Sequence, residues 1–294
     1  MAYTLAEYAK ITPREFDTMV FSRIAERTPL LERLLFHNTD ASSFKFNKET
    51  TLSTTAYRAF GGTVSGSSGT NTETTVAFSH AAGLVFLDQF TDAALRDDAI
   101  RKGVDSMALQ VNETMFTGDG TSNSFNGWEN LVTAGQTVAE TNGGALKLAQ
   151  LDEAINGTRG TDLGIFMNAS MFQRFQTAAR TQAVAGNVIY APNEVGKWSM
   201  TYNGIPLYKA GEDSSGNQIL PFSETQGTET SATSIYLMDF SEGVRGLQKT
   251  GLTSAVKEAA FGENLEFSWD VACYVPETKG LSRIAGVTDA AITA

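Results

Sequence analysis

Residues 61–75 read GGTVSGSSGTNTETT, and Val64 is the only large apolar side chain among them. A run of that composition cannot bury enough surface to offset the entropy of ordering itself. Its flanks can. Phe44-Lys45-Phe46-Asn47 alternates as a strand does, and Val76-Ala77-Phe78 with Leu84-Val85-Phe86-Leu87 supplies a return strand. Residues 43–87 therefore read either as a disordered surface loop or as a long two-stranded arm ordered only against a neighbouring molecule. An isolated hairpin is marginal in water, so an arm of this length implies a partner.

The rest of the chain is globular in character. Of its 294 residues 41% are hydrophobic and 10% aromatic, which excludes disorder for the bulk and leaves ample material for a core. No apolar run approaches the roughly 20 residues of a membrane helix. The start, Met1 to Tyr8, has neither a basic nor an apolar stretch, so no secretory signal is expected. Cys273 is the single cysteine and cannot form an internal disulfide. With 22 basic and 33 acidic residues the net charge is −11, a balance that repels phosphate backbones and argues against sequence-specific nucleic-acid binding.

Catalytic signatures are missing from the sequence. Only two histidines occur, His37 and His80, and no HExxH or CxxC spacing accompanies them. Gly66-Ser67-Ser68-Gly69-Thr70 ends in Thr where a nucleophile elbow needs Gly. Gly118-Asp119-Gly120-Thr121-Ser122-Asn123 fails the last position of a dinucleotide loop, and as a calcium loop it lacks the required Gly and Glu. Carboxylate pairs such as Asp97-Asp98, Asp152-Glu153 and Glu212-Asp213 read as solvated helix or turn faces, and Cys273 as a core residue. Neither a catalytic residue nor a cofactor or metal ligand is assigned. A carboxylate-dependent hydrolase is the remaining enzymatic option, and it would need a pocket with two facing, pKa-shifted carboxylates.

Local patterning predicts an α+β fold. Thr12-Pro13-Arg14-Glu15 is a capping box followed by an apolar stripe of Phe16, Met19, Val20 and Ile24. Thr28-Pro29 restarts the pattern with Leu30, Leu31, Leu34 and Leu35. These first forty residues carry five basic and six acidic side chains, so they form no basic tail. One long helix, capped by Thr91 or Asp92, runs through Phe116 to a stop at Gly118; Val104, Met107, Ala108, Val111 and Met115 share one face. A helix with Leu148, Leu151 and Ile155 ends at Gly157. Leu163–Met167 reads as a buried strand, with Asn168 capping the helix after it. Asn203-Gly204 signals a hairpin between 198–202 and 205–208, and Ser234–Met238 is another buried strand. Leu265, Phe267, Trp269, Val271, Cys273 and Val275 are all apolar and odd-numbered, the period of a half-buried strand.

The order of these elements resembles the tailed-bacteriophage major capsid protein family, the Hong Kong-type fold shared with encapsulins. Local motifs agree with it. The long helix runs into Gly118-Asp119-Gly120-Thr121 and Gly127-Trp128; Ile165-Phe166-Met167-Asn168 precedes a helix; Asn203-Gly204-Ile205-Pro206-Leu207 is similar to a Gly-x-Pro hairpin, and Asp239-Phe240-Ser241 to a late turn. The resemblance spans nearly the whole chain. Trp128 departs from it, since the family more often carries an aliphatic residue there, and the tail after Arg283 is only loosely similar.

The resemblance implies an N-terminal arm over 1–42, an extended loop over 43–87, a peripheral domain over 88–133 and 246–282 built on a spine helix, and an axial domain over 134–245 and 283–294. It implies a non-enzymatic virion protein that assembles with copies of itself into pentamers and hexamers of an icosahedral shell around double-stranded DNA. Scaffolding, portal and decoration proteins are further partners it suggests, with a separate assembly factor or none because no fused scaffolding segment precedes the arm. Assembly would occur in the host cytoplasm. An encapsulin-type compartment shares the fold and is the alternative. Phe44, Phe46, Tyr57, Phe60, Val76 and Phe78 are the expected inter-subunit contacts of the extended loop, and Val104, Met107, Val111 and Met115 the seam of the spine helix.

Overall fold

The structure, a computed structural model, describes residues 2–3, 28–51, 53, 55, 57–63, 69–89, 93–121, 123–180, 188–192, 198–249 and 251–293. The capping box at 12–15 and its helix, the Thr91 or Asp92 cap, and Val64 lie outside the described residues.

The alternating run near the C-terminus becomes the strand Gly262–Tyr274, and it organises the first of the two large sheets among the described residues. Its odd residues Leu265, Phe267, Trp269, Val271 and Cys273 are buried. Each buried large side chain of this kind contributes roughly 1.5–3 kcal/mol. The strand Ser79–Asp88 pairs antiparallel along one edge, from Ser79 opposite Val271 to Asp88 opposite Gly262. The strands Arg245–Gln248 and Thr253–Ala259 share the other edge. Phe36–Asn38 adds in parallel to Arg245–Gln248, which Gly246 permits: a Cβ there would lie 2.6 Å from the Phe36 ring. Ala2–Tyr3 closes that side of the sheet. Ahead of it, the helix Pro29–Arg33 buries Leu30 and Leu31 completely.

Residues 79–88 correct the strand assignment made from sequence. The ladder partner of Ser43–Thr51 is Thr70–Ala77, not the apolar run Leu84–Leu87. Apolar alternation marks a strand half-buried on some surface, and here that surface is the sheet: Leu87 is buried and Val85 half-buried, while Leu84 and Phe86 face outward. Val76 and Ala77 pair opposite Phe44 and Ser43 as expected, and the polar run 70–75 continues that return strand outward, where the ladder is mostly exposed.

The long helix spans Ala93–Thr117, 25 residues or about 38 Å. Val104, Met107, Ala108, Val111, Met115 and Phe116 are buried in one cluster with Leu265, Phe267 and Trp269. Gly103 marks its closest approach to the sheet, where a Cβ would come within 2.9 Å of Phe267 and Val85. Its last turn reaches the second sheet, with Phe116 5.7 Å from Tyr236 and 6.0 Å from Phe166 between ring centroids. Gly118 ends it because Phe125 and Thr114 carbonyls would stand 2.3 and 2.5 Å from any Cβ.

Among the described residues the second sheet has eight strands. Thr137–Gly144, Leu281–Thr288, Glu229–Asp239, Leu163–Met167, Ile205–Lys209, Trp198–Tyr202 and Val188–Pro192 lie side by side in that order, and Glu224–Gln226 adds to Glu229–Asp239. Helices Leu148–Gly157 and Ala169–Ala178 pack on it. Asn168 caps the second of these, its Oδ1 accepting from the Ser170 amide at 2.7 Å. Asn203 (φ +48°) and Gly204 (φ +83°) make the expected two-residue turn. Two of the chain crossings between these sheets, 240–244 and 275–280, run side by side, Gly243 against Gly280.

Candidate functional site

The described part of the arm is a two-stranded ladder, Ser43–Thr51 with Thr70–Ala77, that is strand-paired to neither of the larger sheets. Its root is fixed by aromatic packing. Phe44 and Phe46 lie 5.1 and 5.0 Å from the Tyr274 ring, and His37 lies 5.2 Å from Phe44. Val76 and Phe78 are half-buried against the same core. Further out, Lys45 pairs with Glu73 at 2.7 Å across the ladder, an exposed ion pair of small worth. Burial lowers the Lys48 pKa from its ordinary value.

The outer end carries Tyr57 and Phe60, both fully exposed at 108% and 111%. They flank a defined turn: the Gly62 amide donates to the Ala59 carbonyl at 2.9 Å, Gly61 has φ +82°, and Arg58 Nη1 donates to the Gly62 carbonyl at 2.9 Å. The two aromatics are thus held exposed on an organised turn of the described residues. The six arm residues chosen from sequence therefore divide in two. Phe44, Phe46, Val76 and Phe78 pack within their own chain, whereas Tyr57 and Phe60 face outward. Val104, Met107, Val111 and Met115 are all buried inside the subunit.

Solved structures match the chain over nearly its whole length. The holo-SrpI encapsulin complex from Synechococcus elongatus PCC 7942 superposes with a TM-score of 0.67 at 16% identity, over 90% of this chain and 89% of that one. The capsid of the native GTA particle gives 0.66 at 13% identity, covering 90% of each. The cyanophage A-1(L) capsid gives 0.60 at 12%, over 89% of this chain and 93% of that one. This is the Hong Kong-type capsid fold. No family model and no curated protein matches the sequence.

Within the Hong Kong-type fold, several of the side chains considered for catalysis have structural partners. Cys273 is buried, its thiol donating to the Asn126 carbonyl at 3.2 Å, and burial pushes its pKa well up. His80 stands directly opposite Asp270, Nδ1 to Oδ1 2.6 Å, so its surroundings include a carboxylate that local sequence does not reveal. Asp152 accepts from the Tyr202 hydroxyl at 2.8 Å; burial of that phenol, then the bond to Asp152, raises the Tyr202 pKa. Asp98 pairs with Lys102 one helical turn on. Asp119 accepts from Thr121 and Ser124 in a tight turn, and those bonds pull its pKa down to about 2.

Two carboxylates have environments that separate their pKa values. Glu113 is raised by burial and then by the charge of Asp213, while hydrogen bonds from Asn217 lower Asp213. Asp213 is already engaged, accepting from the Ser215 and Asn217 amides and from Asn217 Nδ2. Among the described residues, no group of three or more His, Cys, Asp or Glu could hold a metal ion, and no helix is long and apolar enough to cross a membrane.

Sequence reasoning missed two features of the structure. One is a half-buried ionic network in which Arg283 reaches Ser234 at 2.7 Å, Glu224 at 3.0 Å and Glu129 at 3.1 Å. Its members are far apart in the chain, so no local spacing announces them. The other is the hairpin end at Phe261, 77% exposed with φ +69°. An aromatic between two β-patterned runs was the available signal for it.

Proposed function

We propose that the chain is the major capsid subunit of a tailed bacteriophage. Copies assemble into pentamers and hexamers of an icosahedral shell that encloses double-stranded DNA without sequence-specific contact. The observation that supports this most is the near-complete match, over both chains, to proteins solved as shells and capsids. In this reading the arm joins neighbouring copies, residues 88–133 and 246–282 form the peripheral domain along the long helix, and residues 134–245 and 283–294 form the axial domain. The work of the protein is assembly, not catalysis, in the virion and, during morphogenesis, the host cytoplasm. Scaffolding, portal and decoration proteins are its natural further partners. The acidic balance suits DNA driven in by a motor rather than condensed by a basic surface.

A shell subunit needs a rigid body, an arm that reaches a neighbour, and heterologous contacts that close into rings. Many modest contacts summed over a closed shell then give stability that no single interface supplies. Size-exclusion chromatography with light scattering, followed by negative-stain microscopy, tests this directly. Megadalton particles or five- and six-membered rings are expected; a monodisperse monomer or dimer at every salt concentration overturns it. A protein compartment of the encapsulin type is the second reading, favoured by the TM-score of 0.67 to the SrpI complex. Particles that copurify with a cargo protein rather than with DNA would establish that reading over the first.

A further inference from the structure

A guanidinium taken out of water needs a carboxylate, hydrogen-bond acceptors or the face of a ring to offset its lost hydration. Arg33, the last residue of the helix Pro29–Arg33, has all three, and its side chain is only 20% exposed. The guanidinium carbon lies 4.8 Å from the centre of the Phe240 ring and 5.2 Å from that of Tyr208. Nη1 donates to the Tyr208 hydroxyl at 2.6 Å, and Nη2 donates to the Asp162 carboxylate. Segment 28–38 thereby touches both large sheets. Phe36–Asn38 pairs with Arg245–Gln248 of the first, and Arg33, three residues earlier, reaches over the second.

The second sheet builds this slot from its own contacts. Tyr208 stacks on Phe166 with centroids 5.1 Å apart, Phe166 meets Phe240 at 5.9 Å, and Phe166 and Phe240 are both buried. The Phe240 amide donates to the Asp162 carbonyl at 2.9 Å, which keeps Asp162 beside the ring. Gly164 leaves the opening: a Cβ there would lie 3.0 Å from Phe240, 3.4 Å from Tyr208 and 3.5 Å from Arg33 Nη1. A planar, forked cation against two rings, with a carboxylate and a phenol oxygen to receive its N–H groups, is selected by shape as well as by charge. A compact ammonium matches the charge but not the fork.

We propose that the slot formed by Asp162, Gly164, Tyr208 and Phe240 is a guanidinium-binding site, filled in this subunit by its own Arg33, and that its occupancy latches residues 28–38 onto the second sheet. Ligands of this class are guanidinium, its N-alkyl derivatives and the side chain of arginine. With the slot empty, Phe36–Asn38 keeps its ladder to the first sheet while the helix Pro29–Arg33 loses its hold on the second and opens more often. A single subunit carries every residue of the site, so the latch holds whether or not copies assemble.

Arg33→Ala empties the slot, and methylguanidinium is the probe that refills it. The Glu32 and Leu34 amides, which donate to the Thr28 and Leu30 carbonyls, should exchange hydrogen about 30-fold faster in Arg33→Ala, while amides of 265–274 stay within about 2-fold of wild type. Methylguanidinium chloride at tens of millimolar should return the two amides to within about 3-fold of wild type, and methylammonium chloride at the same concentration should not. Adding Tyr208→Phe keeps the ring and removes the hydroxyl, so the same rescue should need about 10-fold more methylguanidinium. Unchanged exchange in Arg33→Ala overturns the latch. Rescue by neither cation, or by both equally, overturns the guanidinium site and leaves Arg33 an ordinary packing contact. Should Arg33→Ala lack a cooperative circular dichroism melt, recovery of that melt with methylguanidinium alone upholds the site, and its failure to recover overturns it.

Discussion

Replacing Phe44 with Ala should detach the arm without unfolding the body. Phe44 is half-buried, so its burial contributes about 1 kcal/mol, half the usual range for a Phe. Its ring meets Tyr274 at 5.1 Å, a tilted pair worth roughly 0.5–1.5 kcal/mol beyond area. Together these come to about 2 kcal/mol, or near a 30-fold shift in an equilibrium. The ladder Ser43–Thr51 with Thr70–Ala77 pairs only with itself, so the loss falls on local opening and not on global unfolding. Hydrogen exchange followed by mass spectrometry separates the two. Amides of 43–51 and 70–77 should exchange about 30-fold faster, while those of 265–274 stay within about 2-fold of wild type. Equal acceleration in both regions, or none in the ladder, would refute the independent arm.

Other perturbations probe the body of the subunit. Gly160→Ala should cost about 3 kcal/mol in urea denaturation, because a Cβ at φ +154° would lie 2.0 Å from the Asp239 side chain. For Asp239, burial opposes the charge, but bonds donated by Ser241, Glu242 and Asp162 outweigh it and hold the pKa below its ordinary value. A depressed folded-state pKa stabilises fully above about pH 4 and less as pH falls through the folded value, so Asp239→Asn should flatten the acid limb of a stability–pH curve below pH 4. Arg283→Ala should cost about 2–3 kcal/mol, since Glu129 and Glu224 lose their shared cation; partial exposure of Glu129 keeps this below the cost of breaking a fully buried pair. Adding Glu224→Gln should recover part of that loss in the same thermal melts.

Legibility in the sequence followed how local the deciding physics was. The row Leu265 to Val275, the Asn203-Gly204 turn and the Asn168 cap are each settled within a few residues, and each forms as its pattern predicts. The long helix ends where Gly118 allows two carbonyls to approach. Placement of Leu84–Leu87 was not local. The same alternation serves an arm or a sheet edge, and what decides is the partner strand Gly262–Tyr274, nearly two hundred residues on. The arm contacts chosen from sequence were selected as large and apolar, a criterion that cannot separate Phe44, which anchors the arm, from Phe60, which faces outward. That distinction depends on Tyr274, at the far end of the chain. Arg58 went unnoticed because one cation in a polar loop has no meaning until a turn fixes it beside two aromatics.

The path of the chain out of the arm also has a mechanical consequence. The return strand Thr70–Ala77 passes Cys273 and Tyr274 and becomes, after Phe78, the strand Ser79–Asp88. Tension on the arm enters a ladder of ten residue pairs end-on, and its hydrogen bonds lie across the direction of pull. They are loaded in parallel, as in a lap joint, instead of opening singly as in a zipper. In the shell proposed above, load passing between copies through the arm would enter each copy along this ladder.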